Sequence, residues 1–353
     1  MNKKILLVAV CFGLIFKAYG QQDPQYTQFM FNKQMYNPAV TGFDGKHCVA
    51  ILARTQYVKY EDQTYTLNDQ RDEDIDLYGQ KGAKTVTFSY GAPIPFARAP
   101  KGPNSGGVGL SVFQDQVGYL TTSYYKGDFA FRKQLAFDKA IGVGVNIGAM
   151  QKTVNVDGLI YKDPNDPRIP NDKNPSGINV NFGTGVWFNN PNFYNLTLGY
   201  AVQNLSSKPF QFASVAAIAP GWHQYLNASA EFTPGGLMVR PYLLIKASQN
   251  GAGFANPDFN LGALADLSTA LQAGLSLRTS TKTFESLSAI IGYNLNPQLR
   301  IGYSFDINTS GLRTNNNNTH EVVLNYCFNI AVVEKQSIRL LDPRHLDKDS
   351  SIE

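Results

Sequence analysis

The 353-residue sequence has little excess charge, few cysteines and, past its first twenty residues, no long apolar run. Each shortage excludes something. The formal net charge is +4, and Lys3, Lys4 and Lys17 account for three of those charges. So nearly neutral a remainder is no nucleic-acid footprint, and no nucleic-acid partner is expected. Three cysteines, Cys11, Cys48 and Cys327, are too few for a disulfide scaffold. No later apolar run approaches the roughly 18 residues of a spanning helix, which excludes a helical membrane protein. The chain also has no CxxC, HExxH, G-x-S-x-G or lysine-bearing phosphate loop, and its four histidines, His47, His223, His320 and His345, are scattered. No catalytic residue, metal or cofactor is assigned, and an enzyme is not expected. The Asp163 to Asn174 loop has oxygen ligands that would suit calcium, but its prolines and the missing EF-hand order favour a plain exposed loop.

The opening residues, MNKKILLVAVCFGLIFKAYG, combine a basic start, an apolar run from Ile5 to Phe16 and a small-residue exit at Ala18 and Gly20. They read as a signal peptide over residues 1–20, with the mature chain beginning near Gln21. Cys11 is a poor lipoprotein anchor, because Val10 precedes it and the apolar run continues beyond it. The exported chain then folds where thiols oxidise.

What the mature chain has in quantity is period-two alternation bounded by turn residues. In AIGVGVNIGAM, Ile141, Val143, Val145, Ile147 and Ala149 alternate with Gly142, Gly144, Asn146 and Gly148. Such runs number about fourteen, beginning near Val49, Thr85, Gly106, Thr121, Ala140, Gly177, Phe193, His223, Leu237, Asp258, Leu271, Ser286, Leu299 and Thr319. The fold class is all-β: a transmembrane outer-membrane β-barrel of about 14 antiparallel strands over residues 48–328, followed by a periplasmic tail at 329–353. From the fourth strand onward, short connections (AFD, NNPN, TPGG, LST, NPQ) alternate with mostly longer ones, as periplasmic turns alternate with outer loops. The connection PIPFARAPKGPNS breaks that rule by being long on the periplasmic side, and VGYL breaks it by being short outside. Parity turns Arg54, Gln56, Lys126, Asp128, Arg132, Arg240, Lys246, Arg278, Arg300, Asp306 and Glu321 inward, since a lipid-facing charge would cost about 2–4 kcal/mol at the midplane. These charges would either pair across a narrow lumen or line a polar path.

Fourteen strands enclose more room than wall side chains fill, because about eight already leave just enough for them. The stretch DPQYTQFMFNKQMYNPAVTG directly after the leader suits that room. Asp23 and Pro24 make a helix N-cap and first position, and Tyr26, Phe29 and Met30 share a face, which predicts a short helix from Pro24 to about Lys33. Asn37 and Pro38 then turn the chain towards the first strand, past Gly42. Tyr26, Phe29, Met30 and Phe31 supply packing area, while Gln25, Gln28, Asn32 and Gln34 can bond a polar wall. Residues 21–47 therefore read as a plug, the plain alternative being a periplasmic lead-in. Closure of the barrel also makes the first and last strands neighbours, with Cys48 and Cys327 both at the periplasmic end and facing inward. They are candidates for a disulfide, or else two small side chains that do not touch.

The stretch DPQYTQFMFNKQMYNPAVTG resembles the N-terminal signature of the PorP/SprF family, outer-membrane proteins of the type IX secretion and gliding machinery. The resemblance continues through ARTQYV, GGVGLSVFQDQVG, RPYLLIKAS, IGYSFD and THEVVLNYCF. Tyr57 stands where the family commonly has Trp, and the acidic insertion from Glu61 to Asp76 and the tail also depart from the pattern. The resemblance implies a barrel in the outer-membrane lipid that works with the secretion translocon to deliver or retain a secreted adhesin, notably one ending in a type B C-terminal domain. Alternatives are a diffusion channel, or a structural link to a periplasmic cell-wall-linked protein.

Overall fold

A computed structural model describes residues 23–58, 82–95, 104–155, 174–206, 210–212, 215–218, 221–250, 253–254, 257–309 and 318–330. The leader, the acidic insertion, most of the Asp163 to Asn174 loop and most of the tail lie outside the described residues.

The alternating runs form fourteen barrel strands: β1 (His47–Thr55), β2 (Lys84–Pro95), β3 (Asn104–Val117), β4 (Leu120–Gln134), β5 (Ala140–Val154), β6 (Ser176–Asn190), β7 (Leu196–Gln203), β8 (Trp222–Ser229), β9 (Val239–Asn250), β10 (Asp258–Asp266), β11 (Leu271–Ser280), β12 (Phe284–Asn294), β13 (Leu299–Asn308) and β14 (Thr319–Phe328). Each pairs antiparallel with its sequence neighbours, and β1 pairs with β14 to close the ring. A small hairpin, Phe210–Phe212 with Val215–Ile218, and the two-residue strand Gly253–Phe254 are additions to that order. No helix among the described residues is long and apolar enough to cross a membrane.

Most strands begin within two residues of where the alternation places them. The seventh is the exception, beginning at Leu196 rather than Phe193. Tyr194 and Asn195 have φ of +50° and +44°. That left-handed backbone belongs to a turn and cannot continue a strand.

On β5, Ala140, Gly142, Gly144 and Asn146 are buried in the lumen, whereas Ile141, Val143, Val145 and Ile147 are exposed on the outer face. The same inversion recurs on β12 to β14, where Ile291, Ile301, Ile307 and Val322 face out. An apolar belt on every side is what lipid requires of a barrel. β4, β5 and β6 have 15 residues each, more than the roughly 9–11 needed to cross the hydrocarbon, so they project beyond it.

At the seam, Cys48 lies opposite Cys327 and Arg54 opposite Glu321 in one register. The two sulfurs are bonded, with the Cα atoms 4.1 Å apart. This joins the first and last strands at the end that carries the short turns. Thiol labelling of the mature protein, denatured without reductant, is expected to find no free thiol, and two after reduction. Two free thiols before reduction would show that the seam is not covalently closed.

Candidate functional site

The candidate site is the lumen and the segment that occupies it. Working back from β1, the chain passes Phe43 near the short-turn end, crosses the interior and reaches Asp23 towards the opposite end. The expected helix over Pro24 to Lys33 does not form. Three short 3-10 turns replace it, Phe29–Phe31, Lys33–Met35 and Pro38–Val40. The reason is competition from the wall. Asn260 donates to the Tyr26 carbonyl at 3.2 Å, and the N–H groups of Thr27 and Gln28 are held by Glu321, so these groups are not available to a helix. Asp23, the expected cap, instead accepts from the Tyr225 hydroxyl at 2.8 Å and from Asn204. The capping geometry occurs further on, where Asn37 Oδ1 accepts from the Ala39 N–H at 3.0 Å and Pro38 holds the first helical position.

A set of four charged side chains centres on Thr27. Glu321 Oε2 accepts from the Thr27 N–H at 3.0 Å and Oε1 from the Gln28 N–H at 2.7 Å. Arg54 Nη1 lies 2.9 Å from Glu321 Oε2 and 3.0 Å from Asp306 Oδ2. The Thr27 hydroxyl donates to Asp306 and accepts from Arg278 Nη2 at 2.9 Å. Two guanidiniums and two carboxylates, all buried, thus cancel in charge around one threonine. An unpaired ion at this depth would be prohibitive, which is why the four come as a set.

Elsewhere the wall supplies donors to carbonyls of the segment. Lys126 donates to Met35 O at 2.7 Å, Gln203 to Tyr36 O at 3.1 Å, Asn325 to Phe31 O at 2.7 Å and Arg132 to Phe43 O at 2.7 Å. Lys246 donates to the Asp23 carbonyl. Asn32 bonds Thr87 and Ser89, and Gln34 bonds Ser111 and Asp128. Gln25 donates to Asp258 at 2.6 Å. Burial opposes ionisation of Asp23, yet His223, Lys246 and the Tyr225 hydroxyl together hold its carboxyl below the ordinary carboxylate range.

Between these polar tethers lies an apolar core. Tyr26, Phe29 and Tyr36 of the segment pack edge-to-face with one another and with Tyr242 and Tyr225 of the wall, at centroid separations of 5.1–6.2 Å. Inward Leu52, Leu244, Leu264, Ile290 and Val323 complete it. Each such ring pair adds about 0.5–1.5 kcal/mol beyond the area it buries. Met30 and Phe31 pack on this core's margin, and the Arg300 guanidinium lies 3.3 Å from the Phe31 ring centroid.

The lumen glycines make room for the segment's backbone. A Cβ on Gly144 would stand 2.4 Å from Ala39 N and 2.5 Å from the Pro38 carbonyl carbon. Gly42 has a φ of +65°, and a Cβ there would meet the Ala92 carbonyl oxygen at 2.6 Å. Both positions tolerate only glycine without displacement of backbone.

Of the inward residues read from parity, the structure gathers Arg54, Arg278, Asp306 and Glu321 at Thr27, and sets Lys246 and Arg300 against Asp23 and Phe31. It does not bring Arg240 or Gln56 to that cluster. Arg240 pairs with Asp266 and Glu231 near the short-turn end, and Gln56 borders a cavity at the other. Thr27, Tyr36, Asn260 and Asn325 are contacts the sequence reading did not single out. Asn260 and Asn325 were within its reach, since each shares the parity of an inward charge. Among the described residues no cluster of His, Cys, Asp or Glu could hold a metal.

The segment divides the lumen. A cavity of about 430 Å³ lies on the side of Asp23 and Gln56, and another of about 250 Å³ on the side of Phe31, Phe43 and the disulfide. Two substitutions test the docking. Glu321→Ala should cost about 3–5 kcal/mol of unfolding free energy by leaving Arg54 short of a partner and two N–H groups unmade. Gly144→Ala should leave the barrel intact but displace the Pro38–Val40 turn, measured as protease cleavage within residues 23–46. Resistance equal to the parent would count against this close fit.

Comparison with known proteins follows the same line. A solved structure of the Pseudomonas putida toluene transporter TodX superposes with a TM-score of 0.50 at 11% identity, covering 85% of this chain and 94% of that one. The Ralstonia pickettii toluene transporter TbuX gives a TM-score of 0.49 at 11% identity, covering 85% and 94%. At an identity this low, the likeness to TodX speaks for the barrel fold alone. No curated protein sequence matches the chain. The family model described as type IX secretion system membrane protein PorP/SprF matches residues 18–326. The protein is an outer-membrane barrel with a role in type IX secretion, and the chain belongs to the PorP/SprF family.

Proposed function

We propose that this protein is a non-enzymatic surface partner of the type IX machinery, a filled barrel that delivers or anchors an exported adhesin carrying a type B C-terminal domain. On this reading the lumen is structural support and not the path of the cargo, which engages the outer loops, the lipid-facing wall or the periplasmic rim. The observation that carries it is the N-terminal segment itself, tethered to the wall from Asp23 to Phe43 by side chains of β1, β2, β4, β7, β9, β10 and β14. A conduit for a folded or unfolded polypeptide would have to break these bonds together. Family membership supports the link to secretion.

A deletion strain should lose one adhesin from its surface, with that protein held in the cell or shed into the medium. Unchanged surface adhesins would count decisively against the reading. In planar bilayers the purified protein should conduct little, and removal of Gln22 to Lys33 should open it. A diffusion channel predicts the opposite starting point, steady conductance by the intact protein.

A further inference from the structure

The rim at the short-turn end carries apolar side chains where water would favour polar ones. On the β4–β5 hairpin the lipid-facing parity runs through Phe131, Lys133 and Leu135 into the turn at Phe137, and returns through Lys139 to Ile141. Phe137 is 80% exposed on left-handed backbone, with φ of +59°, a conformation rare for a bulky residue. At that exposure the chain itself gives the ring almost no packing. The neighbouring turns repeat the feature and are bonded to this one. Asn192 donates to the Phe137 carbonyl, and the Glu231 N–H donates to the Tyr194 carbonyl at 2.6 Å. Tyr194, also left-handed and exposed, has its ring 4.6 Å from that of Phe232. Further round, Leu267, Leu295 and Ile330 are exposed on the outward parity of β10, β12 and β14. The apolar belt therefore continues from the strands into the turns, from β4 round to β14. Lipid meets a barrel on every side, whereas a periplasmic partner protein would cover one sector.

Charge points the same way. Lys133 and Lys139 bracket Phe137, and the Lys139 ammonium lies 6.0 Å from its ring centroid. Among the described residues neither ammonium has a carboxylate partner, and Asp138 between them accepts from Gln134. The connection from β2 to β3, whose residues 96–103 lie outside the described ones, contains no acid. We propose that this rim is seated in the phospholipid leaflet at the short-turn end, with Phe137, Tyr194 and Phe232 among the glycerol and upper acyl groups and Lys133 and Lys139 binding headgroup phosphate. Aromatic rings favour that interfacial layer, and lysine stems lie along apolar surface while their ammoniums reach the polar groups. Short turns face the periplasm in bacterial barrels, so the lipid concerned is inner-leaflet phospholipid. This seating needs the outer-membrane placement and does not depend on the adhesin reading.

The test uses the full mature protein in phosphatidylcholine vesicles, its fold checked by heat-modifiable gel migration. Phe137→Trp puts a fluorophore in the turn, and its emission is taken as the difference from the parent, which has Trp187 and Trp222. If that variant fails the gel check, Leu135→Trp, on the same parity, reports the same layer. Acyl-brominated phosphatidylcholine should quench the emission, and brominated phosphatidylglycerol should do so with about tenfold or more higher relative affinity, the size expected for two lysines at an anionic surface. Adding Lys133→Gln with Lys139→Gln should bring the two lipids to within about twofold of each other. Emission that neither brominated lipid quenches would place the turn in water or against protein and overturn the seating. Equal quenching by both lipids, unchanged in the double variant, would overturn the phosphate contact. Loss of the phosphatidylglycerol preference on adding glycerol phosphate, at matched ionic strength, would assign the lysines to free phosphate and overturn the choice of lipid. Loss of the surface adhesin in a deletion strain would be untouched by any of these failures.

Discussion

The structure turns on one carboxylate. Glu321 bonds the backbone N–H groups of Thr27 and Gln28 with its two oxygens while pairing with Arg54, its register partner across the closing strands. Backbone N–H groups buried away from water must be matched, and here the match comes from a charge on the wall in place of a helix within the segment. The charge is itself tolerable only because Arg54, Asp306 and Arg278 balance it. Remove the segment, and Glu321 loses two donors; remove Glu321, and the N–H groups of Thr27 and Gln28 lose their acceptors.

A barrel of this strand number has an interior it cannot fill from its own wall. The solution here resembles the core of a soluble protein laid inside a cylinder. Tyr26, Phe29 and Tyr36 meet Leu52, Leu244 and Tyr242, and glycines of β3 and β5 let the backbone of Pro38 to Gly42 approach the wall. The polar atoms between are met one by one by Asn, Gln, Lys and Arg side chains. Extended backbone and single 3-10 turns expose more of these atoms to the wall than a continuous helix would, which is why so many long polar side chains point inward.

Much of the wall was legible in the sequence, because lipid on one side and a lumen on the other impose a period of two that loops do not share. The seventh strand was misplaced where Tyr194 and Asn195 take a left-handed turn that alternation alone cannot reveal. The segment's composition announced that it would pack against something mixed in polarity, but not its conformation: the apolar spacing of Tyr26, Phe29 and Met30 fits a helix, and only the wall's competing donors and acceptors prevent it. Parity identified Arg54, Arg278, Asp306 and Glu321 as inward without showing that they converge, since convergence depends on which strands are neighbours after closure. The lumen was also read as more uniformly polar than it is. Leu52 and Leu244 share a face with Arg54 and Lys246, and an apolar residue on an otherwise polar face was the available sign of an internal core.

Closure and filling share residues in this molecule. Cys48 with Cys327 and Arg54 with Glu321 lie on the same inward face of the seam, six residues apart, or roughly 20 Å of strand. The member at the short-turn end is covalent, and the other is the ion pair that grips Thr27 and Gln28. The segment runs directly into β1, so it is tethered beside the seam from the moment the first strand is placed. With the ring open, Glu321 and Arg54 would belong to separate edges, and neither could be neutralised by the other. Bringing β14 to β1 assembles the charge set that receives the segment, and the segment's two N–H groups in turn stabilise the seam from within. A filled lumen is therefore not an obstruction added to a finished channel. It is built from the same residues that close the barrel.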